Sequence, residues 1–313
     1  MAVTYSQYPA LNKHTMFGFA LQTTEGTAIT TGLTWLPTTD RTDFGFRGNI
    51  QDFRQADYTN YQHLVYSSGA WWEGGWPISL QPVDGSLTNL VTWITSRPLY
   101  NQGRFATVVL DDSIDTRYAY DVKVATATFS FRKGEPLGCT LNLIGKRTGS
   151  EITLGTPQTG GPYLWQDTAI TTGDYGDSLS SDVNFESLEI TIDNHVESAE
   201  EGMRLTSPSY PTRLYNIAGI DCYGSFDRDY VDATWYDGYI SQIAAPFATT
   251  ANAAITVVLT RGGQALTFTM PRVIQPDTRR EPDGSNDGRM VESVDFKALG
   301  SDDGHTAPIA LSH

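Results

Sequence analysis

One stretch of this chain occurs twice, and that recurrence limits what the chain can fold into more than any other feature. Gly75 opens a strand carrying Trp76, Ile78 and Leu80. Leu87, Leu90, Val91 and Ile94 follow at the i, i+3, i+4, i+7 spacing of one helix face, and then comes the apolar run Thr107-Val108-Val109-Leu110. Gly224, then Tyr236, Tyr239, Ile240 and Ile243, then Thr256-Val257-Val258-Leu259 repeat the series at a constant offset of 149 (224 minus 75). A glycine, an apolar stripe and a TVVL run kept in register point to an internal duplication rather than to coincidence in a β-rich chain.

The copies extend outward from this core. Thr27-Ala28-Ile29-Thr30-Thr31-Gly32 returns unchanged as residues 168–173, an offset of 141 (168 minus 27). The strand-like residues 44–49 align with 189–194 at 145 (194 minus 49), so the offset drifts as small loop insertions would make it. Downstream, the segments 118–124, 125–131 and 138–144 pair in order with 266–270, 291–296 and 306–311, and the second copy carries an extra loop over roughly 275–289. Each unit reads as alternating strands rich in Thr, Val, Phe and Tyr, a long arm, one helix, then more strands. The arms are 49–69 and 194–219, long and without periodicity, and both are expected to be extended hairpins. Asp84 or Ser86 can cap the first helix, whereas Gly238 interrupts the second stripe and predicts a shorter or less regular helix. The class is mainly β: two tandem β-sandwich or barrel-like repeats, each with one flanking helix and a long hairpin arm.

The length of 313 residues accommodates two units of about 150. The expected boundaries are 1–150 and 151–313, with the Gly-, Ser- and Thr-rich stretch 147–162 as linker. A hydrophobic fraction of 39% and a mean hydropathy of -0.31 suit a chain that buries real cores. No apolar run approaches the roughly 18 residues of a membrane span, and residues 1–10 lack the basic-then-apolar pattern of a signal peptide, so synthesis in the cytoplasm is expected. The net charge of -15 argues against a nucleic-acid binder, which needs a basic patch. The acidity serves either solubility or a surface that must not hold a passing polyanion. Cys139 and Cys222 form no CxxC pattern and read as small buried hydrophobes.

Catalytic chemistry is poorly supported. Trp71-Trp72-Glu73 could be an aromatic platform beside a carboxylate, as a sugar-cleaving site uses, with Asp111-Asp112 as a second acid. The same residue types pack β-sheet cores. Residues 277–288 are rich in carboxylates and glycines but miss the spacing of a calcium loop. The five histidines are scattered, and neither a nucleophile elbow nor a phosphate loop is present. No enzyme and no cofactor are expected.

The order of several short motifs resembles that of long-tailed bacteriophage tail tube proteins. Glu25-Gly26-Thr27-Ala28 is similar to their E-x-x-G-T-A opening, departing from it in that Glu25 stands directly against Gly26. The Gly75 strand with its helix, Ile190-Thr191-Ile192-Asp193-Asn194, Leu266-Thr267-Phe268-Thr269-Met270-Pro271 and the closing 294–299 follow in the family's order, so the likeness covers about residues 17–311. The resemblance implies a structural virion protein that stacks as rings into a hollow tail for DNA passage, made in the host cytoplasm and resident in the virion tail. Single-domain members form hexamers, so a duplicated chain would close a pseudo-hexameric ring from three copies. Its partners would be further copies of itself and the tape measure, terminator and tip proteins; no membrane or small-molecule substrate is implied. The arms become candidate subunit or ring contacts through Gln51, Phe53, Arg54, Tyr58 and Tyr61 of the first and Glu197, Glu200 and Arg204 of the second. Asp43, Glu189 and Asp193 are assigned to an acidic lumen by strand alternation. A carbohydrate-binding or glycoside-cleaving β-protein, and another tail or capsid decoration protein, stand as the alternatives.

Overall fold

A computed structural model describes the chain from Met16 to His313, apart from residues 41, 54–63, 83–85, 98–102, 112–115, 151, 153–154, 156–159, 175–176, 204–209, 245–252, 283–289 and 301–306. The first half contains β1 (Met16–Leu21), β2 (Thr34–Pro37), β3 (Gly45–Phe53), β4 (Leu64–Ser79), α1 (Ser86–Thr95), β5 (Ala106–Asp111), β6 (Thr116–Arg132) and β7 (Gly138–Gly149). The second contains β8 (Thr168–Gly173), β9 (Ser180–Ser181), β10 (Phe185–Asp193), β11 (Asp221–Asp229), α2 (Thr234–Ala244), β12 (Ala253–Arg261), β13 (Gln264–Pro282), β14 (Met290–Ala298) and β15 (Ala310–Ser312). All pairings are antiparallel.

The strand order is β2-β1-β5-β6-β7-β4-β3 in the first half and β9-β8-β12-β13-β14-β11-β10 in the second. Individual registers agree as well. Ala106 pairs Val122, which pairs Gly145, then Trp72, then Phe46. Ala253 likewise pairs Val273, then Ala298, Cys222 and Ile192. The halves join where β10 lies antiparallel against the C-terminal half of β6, with Ile192 opposite Ala127 and Ile190 opposite Phe129.

The sheet folds over on itself around one core. Phe17 of β1 touches Trp76 of β4 at 4.7 Å although those strands do not pair, and Phe129 of β6 meets Phe268 of β13 edge-on at 4.9 Å. Alternation drives this packing: Phe17 and Phe19 in β1, and Leu188, Ile190 and Ile192 in β10, all point one way and are buried. Burial of each such side chain is worth about 1.5–3 kcal/mol. Two bulges let one strand serve both layers. β6 shifts register between Val124 and Thr126, and β13 between Ile274 and Asp277, where Pro276 occupies the irregular position that a ladder would otherwise forbid.

Several sequence expectations need correction. Residues 118–131 form one long strand, β6, rather than two, because its bulge bends the chain without ending it. The expected extra loop 275–289 continues β13 as far as Pro282; residues 283–289 lie outside the described set. The identical hexapeptides differ: 168–173 is strand β8, whereas 27–32 is a loop between β1 and β2. Gly75 faces outward beside Asn142 and Asp43, but Gly224 faces the core beside Phe296, so the offset of 149 slips by one residue there and reverses the face.

In α1, Leu87, Leu90 and Ile94 are buried as their spacing predicts, with Trp93 added and Val91 half-buried. α2 is not shortened by Gly238. It runs 11 residues against 10 for α1. Its anchor is Trp235, packed on Phe226 at 4.9 Å, while Ile240 and Ile243 are exposed. The helices are therefore tests of each other. Leu90→Ala should lower unfolding free energy by about 2–5 kcal/mol and Leu90→Asp should prevent folding, whereas Asn89→Asp on the exposed face should change it little; urea denaturation followed by tryptophan fluorescence measures all three.

Candidate assembly surfaces

The joined strands β3-β4-β7-β6-β10-β11-β14-β13 present one continuous outer face, and its residues can be read across in rows. One row runs Asn142, Thr126, Asp193, Asp221. The next runs Thr140, Thr128, Thr191, Tyr223, Lys297. A third runs Ser130, Glu189, Ser225, Asp295, Asp277, and a fourth runs Arg132, Ser187, Asp227, Ser293, Arg279. Hydroxyls and carboxylates dominate, and they are tied laterally. Thr128 and Thr191 share a hydrogen bond at 3.1 Å, while Ser187 and Ser293 both donate to Asp227, at 2.8 and 2.6 Å. Lys297 lies 3.6 Å from Asp221, and Arg279 pairs with Asp277 at 2.6 Å. Such a face is wet, negatively biased and without an apolar patch.

One end of this face is covered by residues 194–203 and 210–219. This segment starts as a hairpin neck, with Glu197 N–H donating to Tyr215 O and Ile217 N–H to His195 O, and then lies down on β4, β6 and β7. Ala199 and Leu214 pack there with Trp71 and Ile144. Two buried lysines fasten it. Lys123 Nζ donates to Leu214 O at 2.6 Å and Asn216 Oδ1 at 2.8 Å, and Lys146 Nζ to Thr212 O at 3.1 Å and to the Glu25 carboxylate. Both ammonium groups also sit over the Phe105 ring. Asp121, fully buried at φ 57°, lies 3.9 Å from Lys146 and accepts from Gly26 N–H at 2.6 Å and Gln22 Nε2 at 3.0 Å. Gly26 itself has φ +81°, which a residue with a side chain adopts only under strain. Glu25-Gly26 thus serves as the clip that closes this buried charge cluster.

Among the expected lumen carboxylates, Glu189 and Asp193 share the outer face of β10, and Asp43 is exposed beside Gly75 at its margin. The first arm is a hairpin as far as described: Gln51 pairs Tyr66 and Phe53 pairs Leu64, while Arg54, Tyr58 and Tyr61 lie outside the described residues. The second arm does not extend freely. Glu197 is buried, accepting from Tyr215 N–H and pairing with Arg213 at 3.3 Å, so it holds its own loop; Glu200 is exposed and Arg204 lies outside the described residues. Sequence reasoning missed Lys123, Lys146 and Asp121; the one hint was that charged residues occupy core positions of otherwise alternating strands.

The sugar platform is not a surface. Trp72 is buried and stacks on Phe44, and Trp71 is buried with its indole N–H donating to Glu73 at 2.7 Å. Cys139 and Cys222 are buried free thiols, and burial pushes Cys222 up to about 12. A cavity of about 780 Å³ between β8, β9 and α2 is lined by Arg228, which Asp182 and Asp232 already hold at 3.4 and 3.0 Å. Among the described residues no helix is long and apolar enough to cross a membrane, and no cluster of His, Cys, Asp and Glu suits a metal.

A family model described as Phage tail tube protein matches residues 14–298. No curated protein matches the chain.

The seat of 194–219 has a pH signature. Burial holds the Lys123 ammonium down to about 8, from 10.5 in an exposed chain. The folded protein therefore releases this proton first, and stability contributed here rises as pH climbs from about 8 to about 10.5. Urea midpoints measured across that window should rise in the parent relative to Lys123→Met, which carries no titrating group at this position.

Proposed function

The chain belongs to the phage tail tube protein family, and on that footing we propose that it is the subunit of a hollow tail tube through which DNA passes. Residues 1–150 and 151–313 are two copies of one tube-forming unit, so three chains close a pseudo-six-fold ring and rings stack into the tube. The repeated strand order and the matching five-residue rows support the duplication.

The observation that carries the reading is the outer face of the joined sheet. It runs across both halves without a seam and carries Asp193, Glu189, Asp227 and Asp295 among hydroxyls. Turned toward a lumen, it meets a polyanion with one charge per about 1.7 Å of axis. A basic wall would hold phosphates by releasing counterions, whereas an acidic, hydroxylated wall repels them within about one Debye length, roughly 8 Å at physiological salt. DNA then slides. The 51–66 hairpin, with Gln51, Phe53, Arg54, Tyr58 and Tyr61, and Glu200 with Arg204 of the seated segment are the ring-to-ring contacts in this proposal. Asp43 lies at the lumen margin.

Negative-stain microscopy of the concentrated chain, with end-on class averages, tests the reading: hollow tubes with three-fold end views are expected, and solid particles or a shell lattice would exclude it. Deleting 51–66 should leave folded rings that no longer stack, and stacked tubes from that variant would reassign the hairpin. Glu189→Lys with Asp295→Lys should still assemble but retain DNA in a salt-sensitive way, seen as co-sedimentation of duplex DNA with the tubes.

A further inference from the structure

Lys123 of β6 and Asn216 of the seated segment bring an amine and a carboxamide to one buried place. The two residues are 1% and 4% exposed, and Lys123 Nζ stands 2.8 Å from Asn216 Oδ1. A lysine shielded from water is poised to act as a nucleophile, because burial favours the neutral amine over the ammonium. Burial is the chief reason that Lys123 titrates at about 8; Glu25 and Glu197 oppose that lowering, and Arg97 and Lys146 add to it. About a tenth of Lys123 is then free amine at neutral pH. Lys146, the other buried lysine, meets the Glu25 carboxylate and the Thr212 backbone carbonyl, and neither is a side-chain amide.

The carboxamide is held as an acyl acceptor. Asn216 Oδ1 also accepts from Gly103 N–H at 2.8 Å, so negative charge developing on that oxygen meets a donor already in place. Asn216 Nδ2 donates to Asn194 O at 2.8 Å, which fixes the amide plane. Beside both side chains lies a cavity of about 10 Å³, lined also by Asn194, Gly103, Arg97 and Arg104. That is about the room one water needs, and ammonia is of similar size.

We propose that Lys123 and Asn216 join in an isopeptide bond, a self-modification that ties β6 covalently to the seated segment. The free amine of Lys123 attacks Asn216 Cγ, and the bond from Cγ to Nδ2 breaks. A proton passes from Nζ to the departing nitrogen, which leaves as ammonia. One C–N bond forms as one breaks, nothing is oxidised or reduced, and no co-reactant is consumed. The product strands no buried polar group. Its amide N–H keeps Leu214 O, which Lys123 Nζ already holds at 2.6 Å, and its oxygen keeps Gly103 N–H. Asn194 O, released by Nδ2, still accepts from Arg97 Nη2 at 2.8 Å. The bond spans 93 positions of the chain, so it removes entropy from the unfolded state as a disulfide of that span does. It requires neither ring nor tube, being made within one chain.

The test is mass spectrometry of the full-length chain, freshly folded in mild acid and then held in mild alkali. The intact mass should fall by one ammonia per chain, and a tryptic digest should yield a branched peptide joining Lys123 to Asn216. The rate should be about tenfold higher at pH 9 than at pH 7, following the gain in free amine of a group that titrates at about 8. The alkaline rise in urea midpoint carried by the Lys123 amine should disappear as the bond forms. Lys123→Arg retains a cation and should lose no ammonia, and Asn216→Ala should lose none either. A folded parent that keeps its full mass in alkali overturns the bond. So does ammonia loss that persists in Lys123→Arg, which marks ring closure at an asparagine on its own backbone. Where a variant does not fold, the parent decides alone, since ammonia loss without the branched peptide also overturns the bond.

Discussion

The ladder between β6 and β10 is the contact on which the rest of this architecture depends. It converts two similar half-sheets into one eight-strand surface and closes the core at the seam, where Phe129, Phe131, Leu188, Ile190 and Ile192 are all buried. Each backbone hydrogen bond contributes only about 0.5–1.5 kcal/mol net, so the ladder stabilises mainly through the apolar surface it covers. The bulge at Val124–Thr126 makes it possible. Upstream of it one edge of β6 pairs β5; downstream the same edge pairs β10, while β7 follows the other edge on both sides of the bulge. Without that bend one edge would have to accept two strands at one height.

The buried charges beside the seam follow from the same geometry. Lys123 and Lys146 stand on strands whose faces are closed by the 194–219 segment, so their ammonium groups must find oxygen inside the chain. They find it in Leu214 O, Asn216 and Thr212 O, which belong to the second half, and in Glu25, which belongs to the first. An apolar residue at either position could pack as well or better. What it could not do is hold a loop with little regular structure of its own at one defined height over the sheet. The lysines act as positioning residues for the segment that bounds the polar face.

How much of this was legible in the residues depended on the range of the interaction that decided each element. Features decided by local periodicity were readable: the α1 stripe, the alternating strands, the TVVL runs that became β5 and β12. Features decided by distant partners were not. The hexapeptide TAITTG is a strand at 168–173 because β12 lies alongside it; at 27–32 it is a loop with Gly26 pinned to Asp121 and the Ile29 N–H bonded to Thr107. The second apolar stripe misled because Ile240 and Ile243 face outward, and the buried anchor, Trp235, lies one residue before it. Glu189 and Asp193 share the outer face of β10, as strand alternation alone decides. The lysine clasp was invisible, because its partners lie 66 to 121 residues away and two of the four are backbone carbonyls, which every residue carries.

Among the described residues β3 and the 277–282 stretch of β13 end the eight-strand order at opposite sides, and they do not pair with each other. Unpaired edges are a liability in a monomer, because any strand can add to them. Here they differ from each other, one carrying Phe46 and Arg47, the other Asp277 and Thr278, so a copy adds head to tail and not face to face. Head-to-tail addition either closes or runs on as a filament, and the step angle decides which. In the proposed ring that step is the one already built inside the chain, β10 against β6, taken again between chains. Six such steps of about 60° return to the start, and the chain itself supplies every second one. In the proposed ring, joining two units in one polypeptide fixes half of the joints, and their rotation is set by folding within the chain before any second copy arrives.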